Sequence, residues 1–152
     1  NIEITSLKAN MILNNFTESY IFRNIALAIN NNFDFSKNNV HSEENTKLIT
    51  EYYRGKKSRC NQNNIIFTLD LDYLPSIFPS DFTCPISQRL MVFGGGTGGT
   101  SNSPSLHRID PRGDYSNDNV VVISRDVNSS IGNSTNSEDF IKVAEYLERR
   151  EV

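Results

Sequence analysis

The spacing of hydrophobic residues predicts two helices in the first third of the chain. The first helix follows Thr17-Glu18 and ends at the asparagine tract 30–32, because Asn favours caps and turns over helix interiors. The second begins after Ser42, with acidic residues in its first turn, where the helix dipole favours them. It runs into the basic segment 54–59. The apolar face of the first helix, at helical spacing, consists of Ile21, Ile25, Ala28 and Ile29.

The middle of the chain has a weaker pattern. Residues 65–67 (Ile-Ile-Phe) are predicted to form a short strand or an extended segment. Asp70 is a candidate cap for a short helix that ends near Pro75 or Pro79. Five glycines lie within residues 94–99, but neither the lysine nor the helix that a phosphate-binding loop requires follows them. We interpret this segment as a flexible surface loop.

The last third predicts a β-hairpin followed by two helices. Residues 105–109 and 119–124 are strand-like, and turn-forming residues fill the segment between them. Ser124 is a candidate N-cap for a short helix that Gly132-Asn133 ends. A capping-box pattern at 135–138 predicts a final helix. Its apolar face consists of Phe140, Ile141, Ala144 and Leu147.

Composition limits the class of protein. Hydrophobic residues make up 37% of the 152 residues, but no apolar run approaches the roughly 20 residues of a membrane span. The first residues lack the pattern of a secretory signal, so we expect no membrane partner and a cytoplasmic, intracellular location. Cys60 and Cys84 are too few for a disulfide framework or a four-cysteine zinc site, and we expect two free thiols.

Charge leaves two interpretations of the basic segment open. The net charge is −3, which argues weakly against a nucleic-acid partner, but Arg54-Gly-Lys-Lys-Ser-Arg59 places four cations in six residues. Such a strip can contact phosphate even on an acidic protein. It can also be only a solvated helix end.

A set of short motifs in the second half of the chain occurs in a recognisable order. The motifs are Thr83-Cys-Pro, residues 103–111 (SPSLHRIDP), Gly113-x-Tyr115, residues 119–125 (NVVVISR), Asn128 and Thr135-x-x-Glu138. In order and spacing they resemble the small phage-type HNH endonucleases, and a looser likeness extends the match to about residues 56–148. The resemblance implies an α+β fold with a ββα-metal (HNH-like) hairpin-plus-helix core in residues 56–152. Residues 1–55 would then be an N-terminal helical extension.

The resemblance also implies site roles. Pro111, four residues after His107, aligns His107 with the family's first metal ligand. Asn119 takes the position of the structural asparagine that bridges the loop, and Asn128 that of the metal ligand on the helix. With His107 and Arg108, Asn119 is a candidate catalytic residue. An imidazole nitrogen and an amide oxygen suit a divalent cation, Mg²⁺ or Mn²⁺ above all.

The family's general-base position holds Arg108, which cannot be deprotonated in a protein. We interpret its guanidinium as a clamp for a phosphate oxygen. Two alternatives remain for the base: His107 itself, or no protein base, with a metal-bound water losing its proton without one. The other histidine, His41, lies outside these motifs, and its loss is expected to be tolerated.

The function implied is that of a metal-dependent endonuclease that nicks or cuts double-stranded DNA, such as a freestanding phage homing endonuclease. Candidate phosphate contacts are Lys56, Lys57, Arg59, Arg112 and Arg125. One alternative is a DNA-binding module that kept the scaffold but lost catalysis, which Arg108, the acidic net charge and a glycine at 132 (where relatives carry lysine) favour. Another is an interaction subunit whose N-terminal helices dock onto a larger assembly.

Overall fold

The structure is a computed structural model that describes residues 16–94, 100–132, 134 and 136–150. Across these residues the chain has a mixed α+β fold with five helices and a two-stranded antiparallel sheet. The elements are α1 (Ser19–Ile29), α2 (Glu43–Gln62), α3 (Leu74–Ile77), β1 (Pro104–Arg108), β2 (Val120–Ser124), α4 (Arg125–Ile131) and α5 (Glu138–Arg150). Most of the predicted glycine loop (95–99), Asn133 and Thr135 of the predicted capping box lie outside the described residues. No helix within the described ranges has the length and apolarity needed to cross a membrane.

The chain divides into two compact units. One combines the described parts of Asn1–Asp34 and Asp126–Val152, and the other is Phe35–Arg125. The predicted division after residue 55 differs from this arrangement, because it falls inside α2. That helix continues to Gln62 and buries Tyr53 and Cys60 on either side of the predicted boundary.

In the first unit α1 packs against α5. The predicted helices are both present, and each buries one apolar face against the other. Arg23 of α1 donates two hydrogen bonds to the Glu148 carboxylate of α5, from Nε at 3.0 Å and from Nη2 at 2.6 Å. These bonds lower the pKa of Glu148. Three residues predicted on the apolar faces, Ala28, Ile29 and Ile141, are only half-buried. The buried faces consist of Ile21, Phe22, Ile25 and Ala26 on α1, and Phe140, Val143, Ala144 and Leu147 on α5.

In the second unit α2 begins as predicted. The Ser42 hydroxyl accepts a hydrogen bond from the Asn45 backbone N–H at 3.1 Å, and Glu43 and Glu44 occupy the first turn. This cap satisfies one of the backbone donors that a helix N-terminus leaves without an intrahelical partner. Because α2 continues to Gln62, the basic segment 54–59 is part of this helix.

The short helix α3 ends at Ile77, directly ahead of the Phe78-Pro79 pair, so of the two prolines predicted as its end Pro79 is the one that follows it. Pro75 lies in its first turn, where a residue without a backbone N–H costs no hydrogen bond. The Asp70 backbone carbonyl accepts hydrogen bonds from the N–H groups of Tyr73 and Leu74, just ahead of the helix.

The predicted hairpin is confirmed, with strand bounds one residue from those expected. β1 pairs with β2 in an antiparallel register from Pro104 opposite Ser124 to Arg108 opposite Val120. All five residues of β2 are buried, so β2 belongs to the core of this unit. Along β1, the Leu106 backbone N–H donates to the Tyr52 hydroxyl of α2 at 2.9 Å. Helix α2 therefore contacts β1 directly.

The two cysteines are free and buried, as predicted. The Cys84 Sγ accepts a hydrogen bond from the Ser124 backbone N–H at 3.4 Å. This contact gives Cys84 a packing role at the end of β2.

Candidate functional site

The loop that joins β1 to β2 is bridged by Asn119. Its Nδ2 donates to the backbone carbonyls of Asp110 at 3.1 Å and Asp114 at 2.8 Å, and its Oδ1 accepts from the Asp110 N–H at 2.8 Å. One side chain therefore makes three hydrogen bonds to two points of the loop backbone. This is the loop-bridging geometry that the resemblance implied for Asn119, while a part in catalysis stays a prediction.

Gly113 is required by the same bridge. A Cβ at this position would lie 2.6 Å from Nδ2 of Asn119 and 3.4 Å from the Asp110 carbonyl oxygen. The Gly113 backbone itself donates to that carbonyl at 3.0 Å. A side chain at position 113 would therefore force the Asn119 amide to shift and weaken its bonds to the loop.

The loop is also tied to the segment that follows α2. Tyr115 forms an isolated parallel bridge with Phe67, and its carbonyl accepts from the N–H groups of Thr68 and Leu69 at 2.8 and 3.0 Å. The Asn117 side chain bonds both the backbone N–H and the carboxylate of Asp70, at 2.9 and 3.0 Å. The extended segment predicted at 65–67 thus pairs with the hairpin loop.

Two cations from distant parts of the chain meet at the Tyr115 ring. The Lys56 ammonium of α2 lies 4.7 Å from the ring centroid, and the Arg108 guanidinium carbon at the end of β1 lies 4.8 Å from it. Both distances are typical of cation–π contacts. The Arg108 Nη1 also donates to the Gly113 carbonyl at 3.2 Å. Tyr115 itself is only 8% exposed.

Within the described part of the chain, neither of these two cations forms an ion pair with a carboxylate. Arg108 has one hydrogen bond there, through Nη1, so its other N–H groups are available to a ligand. A fixed pair of positive charges without an acidic partner is suited to an anion.

The other predicted phosphate contacts do not share this ring. Lys57 lies over Tyr53, with its ammonium 5.8 Å from that centroid. Arg59, Arg112 and Arg125 are exposed. All of these residues belong to the unit Phe35–Arg125. The structure therefore groups Lys56 with Arg108 and places Lys57 at a different ring.

The predicted metal ligands lie in different units. His107 is half-buried in β1, opposite Val121, and Asn128 is half-buried in α4. The metal pair therefore stays a prediction. Among the residues described, no three or more His, Cys, Asp or Glu residues form a group able to hold a metal ion. The predicted pair, one imidazole and one amide, is a different kind of donor set, and its chemistry fits a hard divalent ion that keeps several waters.

Tyr52 of α2 has a strongly raised pKa. Burial raises its pKa to about 12, and the hydrogen bond from the Leu106 N–H offsets part of that effect. The hydroxyl is therefore neutral at physiological pH and serves as an acceptor for the β1 backbone. This excludes Tyr52 as a general base.

Sequence reasoning missed the parts played by His41 and Tyr115. The His41 Nε2 lies 2.8 Å from the Phe78 carbonyl oxygen, and its ring packs near the rings of Phe78 and Phe82. It therefore supports the same unit as the hairpin, and its loss is not expected to be silent. Tyr115 was visible in the Gly113-x-Tyr115 motif, but nothing in the sequence linked it to Lys56.

Comparison of the chain with protein-family models, with curated proteins and with solved structures produced no match. Its function is therefore inferred from the hairpin, its bridged loop and the cations described above.

Proposed function

We propose that this protein is a metal-dependent DNA endonuclease of the HNH type, acting on duplex DNA inside the cell. β1, β2 and α4 would form the ββα core of the enzyme. The observation that carries the proposal is the Asn119 bridge across the hairpin loop. This bridge lies between β1, which ends in His107-Arg108, and β2, which leads directly into α4 and Asn128.

Phosphodiester hydrolysis needs positive charge at the scissile phosphate and a group that activates water. His107 and Asn128 would hold a divalent ion, Mg²⁺ or Mn²⁺, which when bound supplies charge neutralisation at the phosphate. The bridged loop sets the end of β1, so the His107 and Arg108 side chains start from a fixed backbone. Such preorganisation limits the cost of placing reacting groups.

Arg108 would donate hydrogen bonds to a phosphate oxygen. Its guanidinium cannot accept a proton, and Nη1 is already engaged by the Gly113 carbonyl. The remaining donors can contact phosphate in the forked geometry that arginine favours. The proton of the attacking water would go either to His107 or directly to solvent.

A second candidate is a DNA-binding module that retains this scaffold without catalysis. It is favoured by Arg108, which fills the family's general-base position and contacts the Tyr115 ring. Such a module would bind duplex DNA in a salt-dependent way, because phosphate contacts release counterions, but would not cleave it.

The test is cleavage of supercoiled plasmid by the full chain with Mg²⁺, Mn²⁺, Ni²⁺ or Zn²⁺, and with EDTA as a blank. We expect metal-dependent nicked or linear product from the wild type and from Lys47→Ala, a control on the exposed surface of α2. His107→Ala should give no product. Intact plasmid with every metal, together with salt-sensitive binding, would establish the binding module instead. Cleavage that persists in His107→Ala would eliminate the proposed active site.

Asn128 provides an independent check of the metal assignment. Asn128→Ala should lower the cleavage rate at a low Mn²⁺ concentration and regain part of it as the concentration rises. A variant that melts at a lower temperature but keeps its metal dependence would show that Asn128 is structural.

A further inference from the structure

We propose that Tyr115 is a positioning residue that holds Lys56 and Arg108 together as a clamp for a single DNA phosphate. This inference rests on the proposed function only in taking duplex DNA as the ligand. It requires neither a bound metal nor cleavage.

Lys56 and Arg108 converge on one ring. Their distances of 4.7 and 4.8 Å are measured to the same ring centroid, so the two charges can be no farther apart than the sum of these values. Like charges repel at such separations, and no described carboxylate pairs with either one. A ligand that supplies negative charge to both cations would relieve this repulsion.

The Tyr115 ring is held in place through its backbone. The Tyr115 N–H donates to the Ile66 carbonyl at 3.2 Å, and the Tyr115 carbonyl accepts from Thr68 and Leu69. The Phe67 ring packs beside it, with centroids 6.0 Å apart. The negative face of an aromatic ring attracts cations, so a fixed ring restricts where the ends of two flexible side chains lie.

Arg108 and Lys56 both have donors left for a phosphate. Arg108 uses Nη1 for the Gly113 carbonyl and retains N–H groups for a ligand, while Lys56 offers an ammonium group. A planar fork and a point charge are the two usual ways in which proteins bind phosphate. The contact is to the DNA backbone, so the clamp would add affinity and register without reading sequence.

The test measures binding of the full chain to a fluorescein-labelled duplex in EDTA, across a series of salt concentrations. Lys56→Ala and Arg108→Ala should each weaken binding about tenfold. Each should also reduce the salt slope, the steepness of log K against log[salt], by about the amount expected for one lost phosphate contact. If both cations hold one phosphate, the double variant should be little weaker than either single variant. A loss of about a hundredfold with twice the slope change would mean two separate phosphates, which would overturn the clamp.

Tyr115 is tested by matched aromatic variants. Tyr115→Phe keeps a cation-binding ring and should retain the wild-type salt slope. Tyr115→Leu should lower the slope as the loss of either cation does. Phe67→Leu is the control, because it removes a neighbouring, half-buried ring but keeps the Tyr115 side chain itself. An unchanged slope in Tyr115→Leu, or an equal fall in Phe67→Leu, would show that the ring is only structural.

Failure of the clamp and failure of the nuclease are distinguishable. Coupled losses of binding in a protein that never cleaves plasmid would keep the clamp and reject the enzyme. Active cleavage with additive losses would keep the enzyme and reject the clamp. A wild-type chain that does not bind duplex DNA at low salt would overturn the clamp outright.

Discussion

Replacing Asn119 with alanine should loosen the hairpin loop by a predictable amount. The substitution removes three hydrogen bonds to the backbone of Asp110 and Asp114. A typical intramolecular hydrogen bond contributes about 0.5–1.5 kcal/mol. Water can replace part of these bonds because Asn119 is only half-buried. We therefore expect the free energy of unfolding to fall by about 1–3 kcal/mol, and the melting temperature by roughly 2–4 °C for each kcal/mol.

Gly113→Ala should have a similar cost for a connected reason. The new Cβ would meet Nδ2 of Asn119 at 2.6 Å, so the amide must move and its bonds must weaken. Overpacking of this kind costs about 1–3 kcal/mol. In the Asn119→Ala background that atom is gone, so the same glycine substitution should cost far less.

The assay is chemical denaturation, followed by circular dichroism, of the wild type, the two single variants and the double variant. Gly55→Ala is the control, because its Cβ would meet only the end of the Arg59 side chain at 4.0 Å. In α2 it should stabilise the chain by up to about 1 kcal/mol and add independently to Asn119→Ala. If the Gly113 and Asn119 effects add within about 0.5 kcal/mol, the amide does not fill the space beside Gly113 and the reasoning is refuted.

Three further outcomes follow from other contacts. Tyr52→Phe should cost about 1–3 kcal/mol at pH 8, because the buried Leu106 N–H loses this acceptor. The folded-state pKa of Tyr52 is raised to about 12. The Tyr52 hydroxyl therefore contributes to stability below pH 10, and this contribution is lost as the pH rises towards 12. An equally steep loss of stability at alkaline pH in Tyr52→Phe would contradict the assignment of that loss to Tyr52. His41→Ala should lower the melting temperature by several degrees, because the ring packs in the aromatic cluster, and an unchanged value would restore the view that His41 is dispensable. Glu148→Gln should slightly lower stability at neutral pH and low salt, and the difference from wild type should shrink in high salt and as the pH falls through the lowered pKa of Glu148. A difference that persists in high salt would point to a packing defect.

Helices with strong local signals were predictable from the chain alone. Ser42 with Glu43 and Glu44 marks the start of α2, since capping and the helix dipole act within one turn. The β-branched run at 120–123 indicates β2 in the same way. The two prolines predicted as possible ends of α3 could not be told apart from the sequence, because a proline can lie in the first turn of a helix, as Pro75 does, or follow its end, as Pro79 does.

The division into units was not predictable from local patterns. The described parts of residues 1–34 and 126–152 combine into one unit, in which α1 packs against α5. Amphipathic periodicity shows that each helix has an apolar face but not which partner covers it. A linear reading therefore placed the boundary within α2, where the basic segment changes the composition.

For the site, the sequence by itself determined the hairpin, its turn-rich loop and the position of Asn119, because strand propensity, turn residues and motif spacing are all local properties. Only the tertiary structure decided that Lys56 and Arg108 lie at one aromatic ring. Their meeting depends on Tyr115 pairing with the segment after α2, a long-range contact between residues far apart in the chain. Contacts of that kind depend on how α2, the segment after it and the hairpin loop pack together, and no periodicity within a single segment encodes that packing.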